Sequence, residues 1–455
     1  MDDKHLDFNE KRMHIFNELV KRYWKGDLKS VDDLNDLAEY IKNKYGFNES
    51  DMPFIRNHIR LAMGQDPKGE KSFDDELSVL NSSMKIYQPV VSKLEGPCKQ
   101  CNSIYCECNE LGKYESGMYN RLNETISCGY SDFTCDFGAV ADKIEFMPVI
   151  DLLRDGDSPV YVTVAPAIVG QFGEEISMGK LRSALKLLGF KDMIEVALFA
   201  DILTIKEAYE FNDLVKSEDD FFLTSCCCPM WFNMIKKVYP DIYDYLSPSI
   251  SPMIASGRVL KKLYNNAKVV FISPCVAKKG EIKEPDLQGA IDYVLNFREL
   301  KEIFDALNLD FSDLYDDDKD QASFGGRVYA RTGGVSFSVK TVLNRLEPTR
   351  VIKLKSLKVN GIKECKRVLD SLKSRKKGDP NFIEGMGCVG GCVGGPKTNI
   401  DLEKATRLVN DFGEDSFILT PFDNQNVMKI LDQFNVKSIQ EFMENDELKE
   451  ILSRE

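Results

Sequence analysis

Apolar residues recur at helical spacing over residues 11–23 and 31–45, and a Lys, Glu, Asp and Leu-rich stretch runs through residues 1–90. This pattern predicts a helical N-terminal region. Residues 98–135 break the pattern: they are polar and irregular, with no core-like period. From about residue 158 short β-rich runs alternate with helical stretches. Strands are expected at 160–164, 194–199, 221–223, 269–272 and 291–295, with a helix at 180–188 stopped by Gly189. Such alternation argues for an α/β fold with mostly parallel sheets flanked by helices. An acidic run at 313–320 reads as a solvated loop, and 424–455 as two short amphipathic helices.

Charge narrows the partners. The 455 residues carry 60 basic and 73 acidic side chains, a net charge of −13. A field of that sign gives no general affinity for nucleic acid or an anionic membrane. No run of about 18 apolar residues occurs, so no membrane span is expected. The opening MDDKHLDFNEKR has no apolar signal core. The expected setting is a reducing cytoplasm, where 13 clustered cysteines imply metal or redox chemistry rather than disulfides. The three histidines, His5, His14 and His58, all fall in the first 90 residues. They read as solvated helix-face residues, and histidine chemistry elsewhere is excluded.

Three cysteine sites follow expected strands or glycine turns. They are Thr224-Ser225-Cys226-Cys227-Cys228-Pro229-Met230-Trp231, Ser273-Pro274-Cys275-Val276-Ala277-Lys278-Lys279-Gly280-Glu281, and Glu384-Gly385-Met386-Gly387-Cys388-Val389-Gly390-Gly391-Cys392-Val393-Gly394-Gly395. Ligand sites in open α/β sheets lie beyond the carboxyl ends of strands, so distant cysteines can converge there. Four thiolates can hold an iron–sulfur cube, and glycines let backbone N–H groups approach sulfur. Cys365 reads as an ordinary helix cysteine without partners.

These segments resemble, in order, the active-site signatures of the iron-only (FeFe) hydrogenases: roughly TSCCPxW, PCxxKKxE and a Met-x-Cys-x-Gly-Gly-Cys-x-x-Gly-Gly loop. The resemblance spans residues 98–420 and takes in Ala165-Pro166 and the Thr332-Gly333-Gly334 turn. It implies a two-lobed catalytic domain holding an H-cluster, a 4Fe–4S cube joined by one cysteine to a diiron unit with CO, cyanide and a dithiolate amine. Cys228, Cys275 and Cys388 would hold the cube, and Cys392 would bridge to the diiron unit. Lys278 matches the lysine that binds an iron cyanide. Ala165, Pro166, Met253, Ser273 and Met386 match positions around the diiron ligands. Cys227, Glu207, Ser247 and Glu210 match a proton relay, and the two glutamates, three apart, share a helix face.

The chain departs from the family pattern at the third cysteine of the first motif, which leaves Cys226 as an alternative to Cys227. It departs again at Ser273, where methionine is usual, and at Met253, where glutamine is frequent. These changes resemble a divergent, group B-like branch.

Cys135-Asp136-Phe137-Gly138-Ala139-Val140 resembles the end of a ferredoxin cluster motif. By that likeness Cys98, Cys101, Cys106 and Cys135 would hold one accessory 4Fe–4S cluster. Cys108 and Cys128 remain alternatives, and a zinc site competes. The expected domains are 1–90 (helical), 91–150 (a small ferredoxin-like segment) and 151–455 (H-cluster-binding). The implied activity is reversible interconversion of protons, electrons and H2. Ferredoxin or a similar carrier is the expected electron partner, and maturation proteins would load the cluster. An H2 sensor of low turnover is the alternative, and an iron–sulfur scaffold protein a third reading.

Overall fold

The computed structural model describes residues 3–74, 76–77, 90–93, 140–224 and 227–454, without the side chains of 3–9 and 373. Cys98, Cys101, Cys106, Cys135 and Cys226, with the accessory-cluster reading, lie outside the described residues. The rest groups into two compact units. One draws on residues up to 156 together with 298–310; the other holds 157–297 and 311–454.

In the first unit, helices Asp3–Lys25, Val31–Tyr45, Met52–Ala62 and Phe146–Asp155 accompany a short antiparallel pair, β1 (Val91–Lys93) and β2 (Val140–Asp142). Local chemistry sets the second helix. Ser30 and Asp33 form a reciprocal capping box at its start, and Gly46 at φ 68° ends it. Its apolar stripe of Leu34, Leu37, Ala38 and Ile41 is fully buried. His58 corrects the reading of solvated histidines. It is 4 % exposed, lies against the Phe54 ring at 4.0 Å, and its Nδ1 meets the Phe54 carbonyl at 2.8 Å.

The second unit contains two parallel sheets. In the first, β3 (Val160–Val164), β4 (Asp192–Glu195), β6 (Lys268–Ser273) and β7 (Tyr293–Asn296) lie in the order β4-β3-β6-β7. In the second, β5 (Phe222–Leu223), β8 (Ser356–Asn360) and β9 (Phe382–Met386) lie in the order β5-β9-β8. β3 reads VYVTV with every residue buried, as a parallel strand covered on both faces should. Helices flank both sheets, so the α/β class with parallel sheets stands. Among the described residues no helix is long and apolar enough to cross a membrane.

Two local expectations change. The apolar run 194–199 is not one strand: β4 ends at Glu195, and Ala197 opens a helix to Leu214. That helix is buried around most of its circumference, so its start carries the same unbroken apolar run as a buried strand. The acidic loop is not merely solvated. Asp316 accepts from Ser177 Oγ at 2.8 Å, Asp317 pairs with Lys186, and Asp320 lies 2.9 Å from Arg327.

Candidate metal centre

Strand ends assemble the site. Cys228 follows β5 and Cys388 follows β9, and these strands are parallel neighbours. Cys275 follows β6 of the other sheet. Trp231, 1 % exposed, donates its Nε1–H to the Thr224 carbonyl at 2.7 Å. Pro229 then opens the helix Pro229–Val238, leaving Cys228 at its N-cap. The Gly387 N–H donates to Cys228 Sγ at 3.3 Å, joining the first motif to the third.

The third motif works as a backbone cradle. Gly391 has φ 95°, and a Cβ there would lie 2.7 Å from Met386 Sδ and 2.9 Å from the Thr332 nitrogen. A Cβ on Gly394 would run into the Val389 carbonyl oxygen. Only glycine permits this fold-back, which brings Cys392 round to the same place as Cys388. Thr332 donates its N–H to the Gly390 carbonyl at 2.9 Å. Its buried Oγ1 has no hydrogen-bond partner among the described residues.

The thiols feel one another. Burial, then the neighbouring Cys228, pushes Cys275 up to about 11. Burial with Cys275 and Cys228 pushes Cys392 up to about 12. Burial with Cys275, Cys228 and Cys392 raises Cys388 well above an ordinary thiol. The four sequence-predicted cysteines are therefore brought together. A fifth thiol lies nearby: Cys365 is fully buried in the helix Ile362–Ser371, donates to the Met386 carbonyl at 3.4 Å, and acts electrostatically on Cys388. It has a partner, contrary to expectation, though that bond is an ordinary structural one.

Lys278 is 6 % exposed, not a surface lysine. Burial works to lower it, but the Glu281 carboxylate and the sulfurs of Cys275 and Cys392 hold it above the ordinary lysine value. Its Nζ donates to Glu281 Oε2 at 2.6 Å. Ala165, 6 % exposed, leaves β3 and donates to the Ile272 carbonyl at 2.9 Å, and Pro166 opens the next turn. Ser273 Oγ accepts from the Cys275 N–H at 3.2 Å. Met253 and Met386 are buried, at 1 % and 2 % exposure.

The two glutamates lie on the helix Ala197–Leu214 and are buried rather than exposed. Glu207 accepts from Thr224 Oγ1 at 2.7 and 2.8 Å. Glu210 accepts from Ser247 Oγ at 2.6 Å and from Ser249 Oγ at 3.2 and 3.3 Å. Cys227 is partly exposed.

A family model described as the iron only hydrogenase large subunit, C-terminal domain, matches residues 158–396, more than half of the chain. The chain belongs to the iron-only hydrogenase family. It is 26 % identical over 381 residues to the NADP-reducing hydrogenase subunit HndD of Solidesulfovibrio fructosivorans, covering 70 % of this chain and 65 % of that one. It is 29 % identical over 316 residues to iron hydrogenase 1 of Clostridium pasteurianum, covering 58 % of this chain and 55 % of that one. The chain thus spans less than two thirds of the length of these two relatives. Its fold resembles the FeFe-hydrogenase HydA(deltaEFG) structure (TM-score 0.54, 20 % identity, 67 % of this chain and 98 % of that one). It also resembles a HydA1 variant from Chlamydomonas reinhardtii (TM-score 0.53, 19 % identity, 67 % and 98 %).

An iron-only hydrogenase needs iron–sulfur ligation, and the donor set here fits it. The thiols are free, close enough to raise one another, and backed by the Lys278 ammonium. Among the described residues no three His, Cys, Asp or Glu side chains close around a single ion. A cube suits such a set, since each corner iron takes one thiolate. Three polar residues near the site were missed in the sequence: Thr224, Ser249 and Lys206. Thr224 opens the first motif, which was a usable signal. Lys206 stands four residues before Glu210, a spacing that reads as an ordinary surface pair.

Proposed function

We propose that this chain catalyses the reversible interconversion of protons plus electrons and H2 at an H-cluster, in a reducing cytoplasm. The observation that carries the reading is the meeting of thiols from three separate motifs beyond parallel strand ends, beside the buried Lys278 ammonium. Cys228, Cys275 and Cys388 would hold the cube, and Cys392 would hold it to the diiron unit. When bound, the cluster supplies electrons and the iron at which H2 is made or split.

The chain's own residues do the rest. Lys278 offers an N–H to an anionic ligand while Glu281 balances its charge. Ala165, Pro166, Met253, Ser273 and Met386 exclude water from the diiron side. Cys227 carries a proton between the active site and Glu207, and Ser247 passes it on to Glu210 across their 2.6 Å hydrogen bond. Thr224 holds the Glu207 carboxylate in place.

Electrons would enter through one accessory 4Fe–4S cluster held by Cys98, Cys101, Cys106 and Cys135, from ferredoxin or a similar carrier. Likeness to a subunit of an NADP-reducing hydrogenase favours a second partner class, a nicotinamide-linked subunit. Maturation proteins would install the diiron unit.

Infrared spectra of matured protein test the central claim. CO and cyanide bands are expected, and they should vanish in Cys388→Ser together with H2 turnover. Full H2 evolution by that variant would sink the ligand assignment. Iron counting tests the accessory cluster: about ten irons per chain are expected, six in the H-cluster and four in a cube. A value near six with bound zinc would favour the zinc alternative, and one near fourteen would reject a single accessory cluster.

A further inference from the structure

The proposed relay needs carboxyl, hydroxyl and thiol groups, but not a cation. Yet Lys206, 2 % exposed, sits beside its outer end. It lies one helical turn before Glu210, to whose Oε1 its Nζ donates, and it also donates to Ser249 Oγ at 2.9 Å. Ser247 Oγ donates to the other carboxyl oxygen, Oε2, and accepts from the Ser249 N–H at 3.1 Å. The carboxyl group is thus gripped on one oxygen by an ammonium and on the other by the relay serine.

A buried ammonium without a counter-charge is strongly unfavourable, and a buried carboxylate without one takes up a proton instead. The pair therefore gives each buried partner its counterpart and fixes where the carboxyl group lies. Between these contacts Ser247 points its proton at Glu210 Oε2. We infer that Lys206 is a positioning residue of this chain's proton route: it holds the Glu210 carboxyl group with Oε2 turned toward Ser247, so that a proton can pass between the two in either direction. In the outward direction the Ser247 O–H proton moves to Glu210 Oε2 as Ser247 Oγ takes one from Glu207, the inward carboxyl group of the relay, and in the inward direction both moves reverse. No electron or further reactant is required. This inference rests on the relay reading given above.

Other charged groups near this part of the helix are engaged elsewhere. Glu207 holds Thr224 one turn away. Glu347 and Glu444 act on Tyr209, which burial pushes up first. Arg350 donates to Asn212 and to the Val215 carbonyl. Arg258, across the 249–250 segment, donates to the Ile451 and Ser453 carbonyls. Among the described residues Lys206 is the charged group in contact with Glu210.

The test uses the full chain in both matured and cluster-free forms. In cluster-free Lys206→Met at neutral pH, infrared difference spectra should show a protonated carboxyl C=O band that wild type lacks. The band should be absent from Lys206→Met/Glu210→Gln, which assigns it to Glu210, and from Lys206→Arg. In matured protein, Lys206→Met should lower turnover by roughly one order of magnitude. Its pH profile should move to higher pH, and Lys206→Arg should restore both. A Lys206→Met protein without the carboxyl band and with a wild-type pH profile would overturn the inference. Failure of Glu210→Gln to slow turnover would instead reject the relay reading, while the carboxyl band would still report the Lys206–Glu210 pair.

Discussion

Single residues carry this site in two ways, and only one was legible in the sequence. Cys228, Cys275, Cys388, Cys392 and Lys278 sit in short motifs whose spacing announces them. Thr224 and Ser249 gain meaning from partners 17 and 39 positions away, which no local pattern shows. Lys278 and Glu281 are local in sequence but their burial is not, and burial decides what the pair is worth. Glu281→Gln keeps the shape and removes the counter-charge from an ammonium that is 6 % exposed. Breaking a buried pair from one side costs about 3–5 kcal/mol. The cluster-free variant should therefore unfold at clearly lower denaturant concentration, and an unchanged midpoint would mean the pair adds nothing to stability. Cys365 supplies the matching control for the thiols. It is as deeply buried as any core residue and bonds a carbonyl. Cys365→Ala should keep full iron content while Cys388→Ser loses it, and iron analysis of the two proteins separates a ligand from a neighbour.

At the scale of elements, the readable parts were those where a local rule acts alone. The helix Val31–Tyr45 was legible to the residue because a capping box and a left-handed glycine mark its ends. β9 was not read at all. Its sequence FIEGM puts a glutamate and a glycine where a buried strand should be apolar. Glu384 is tolerated there because Gly333 N–H, Ser336 N–H and Ser336 Oγ donate to it at 2.6, 2.8 and 2.6 Å. Those donors sit at the start of the helix Gly334–Leu346, so the strand's carboxyl group caps a distant helix. The loop after β9 has the opposite character, since its glycines are visible but their necessity is structural. Gly394→Ala should displace the Val389 carbonyl and open the cradle around Cys388 and Cys392. Gly378, at φ 86° but with nothing within 4 Å of an added methyl, should lose only the strain of a left-handed alanine, about 1 kcal/mol. Reconstitution with iron and sulfide should fail for Gly394→Ala and succeed for Gly378→Ala. Equal iron uptake by the two would show that the loop yields easily.

For the whole molecule, acid should act on the two compact units with opposite sign. His58, in the first unit, is driven down to about 3 by burial and then by Arg12, against a bond to the Phe54 carbonyl. The unfolded chain holds this imidazole near 6.5, so between about 6.5 and 3 the unfolded state binds the extra proton. Stability from the neutral ring is complete above 6.5 and drains away as pH falls through that window. Asp201, in the second unit, is driven up to about 6 by burial, against donors from Ser323 and Asn424. Here the folded state binds the extra proton between about 3.8 and 6, so the contribution is fully present below 3.8 and lost as pH rises through 6. Each pH unit inside either window is worth up to about 1.4 kcal/mol. Lowering pH from 6.5 to 5 should therefore loosen the helices around His58 while the core around Asp201 holds or tightens. Hydrogen exchange followed by mass spectrometry reads this directly. Peptides from residues 52–62 should exchange faster at pH 5 than at pH 6.5 after correction for intrinsic rates, and peptides from 197–214 should not. His58→Phe should remove the acid sensitivity of the first set and leave the second unchanged. Parallel loosening of both sets in wild type would mean that the two units respond to acid as one, through groups other than these.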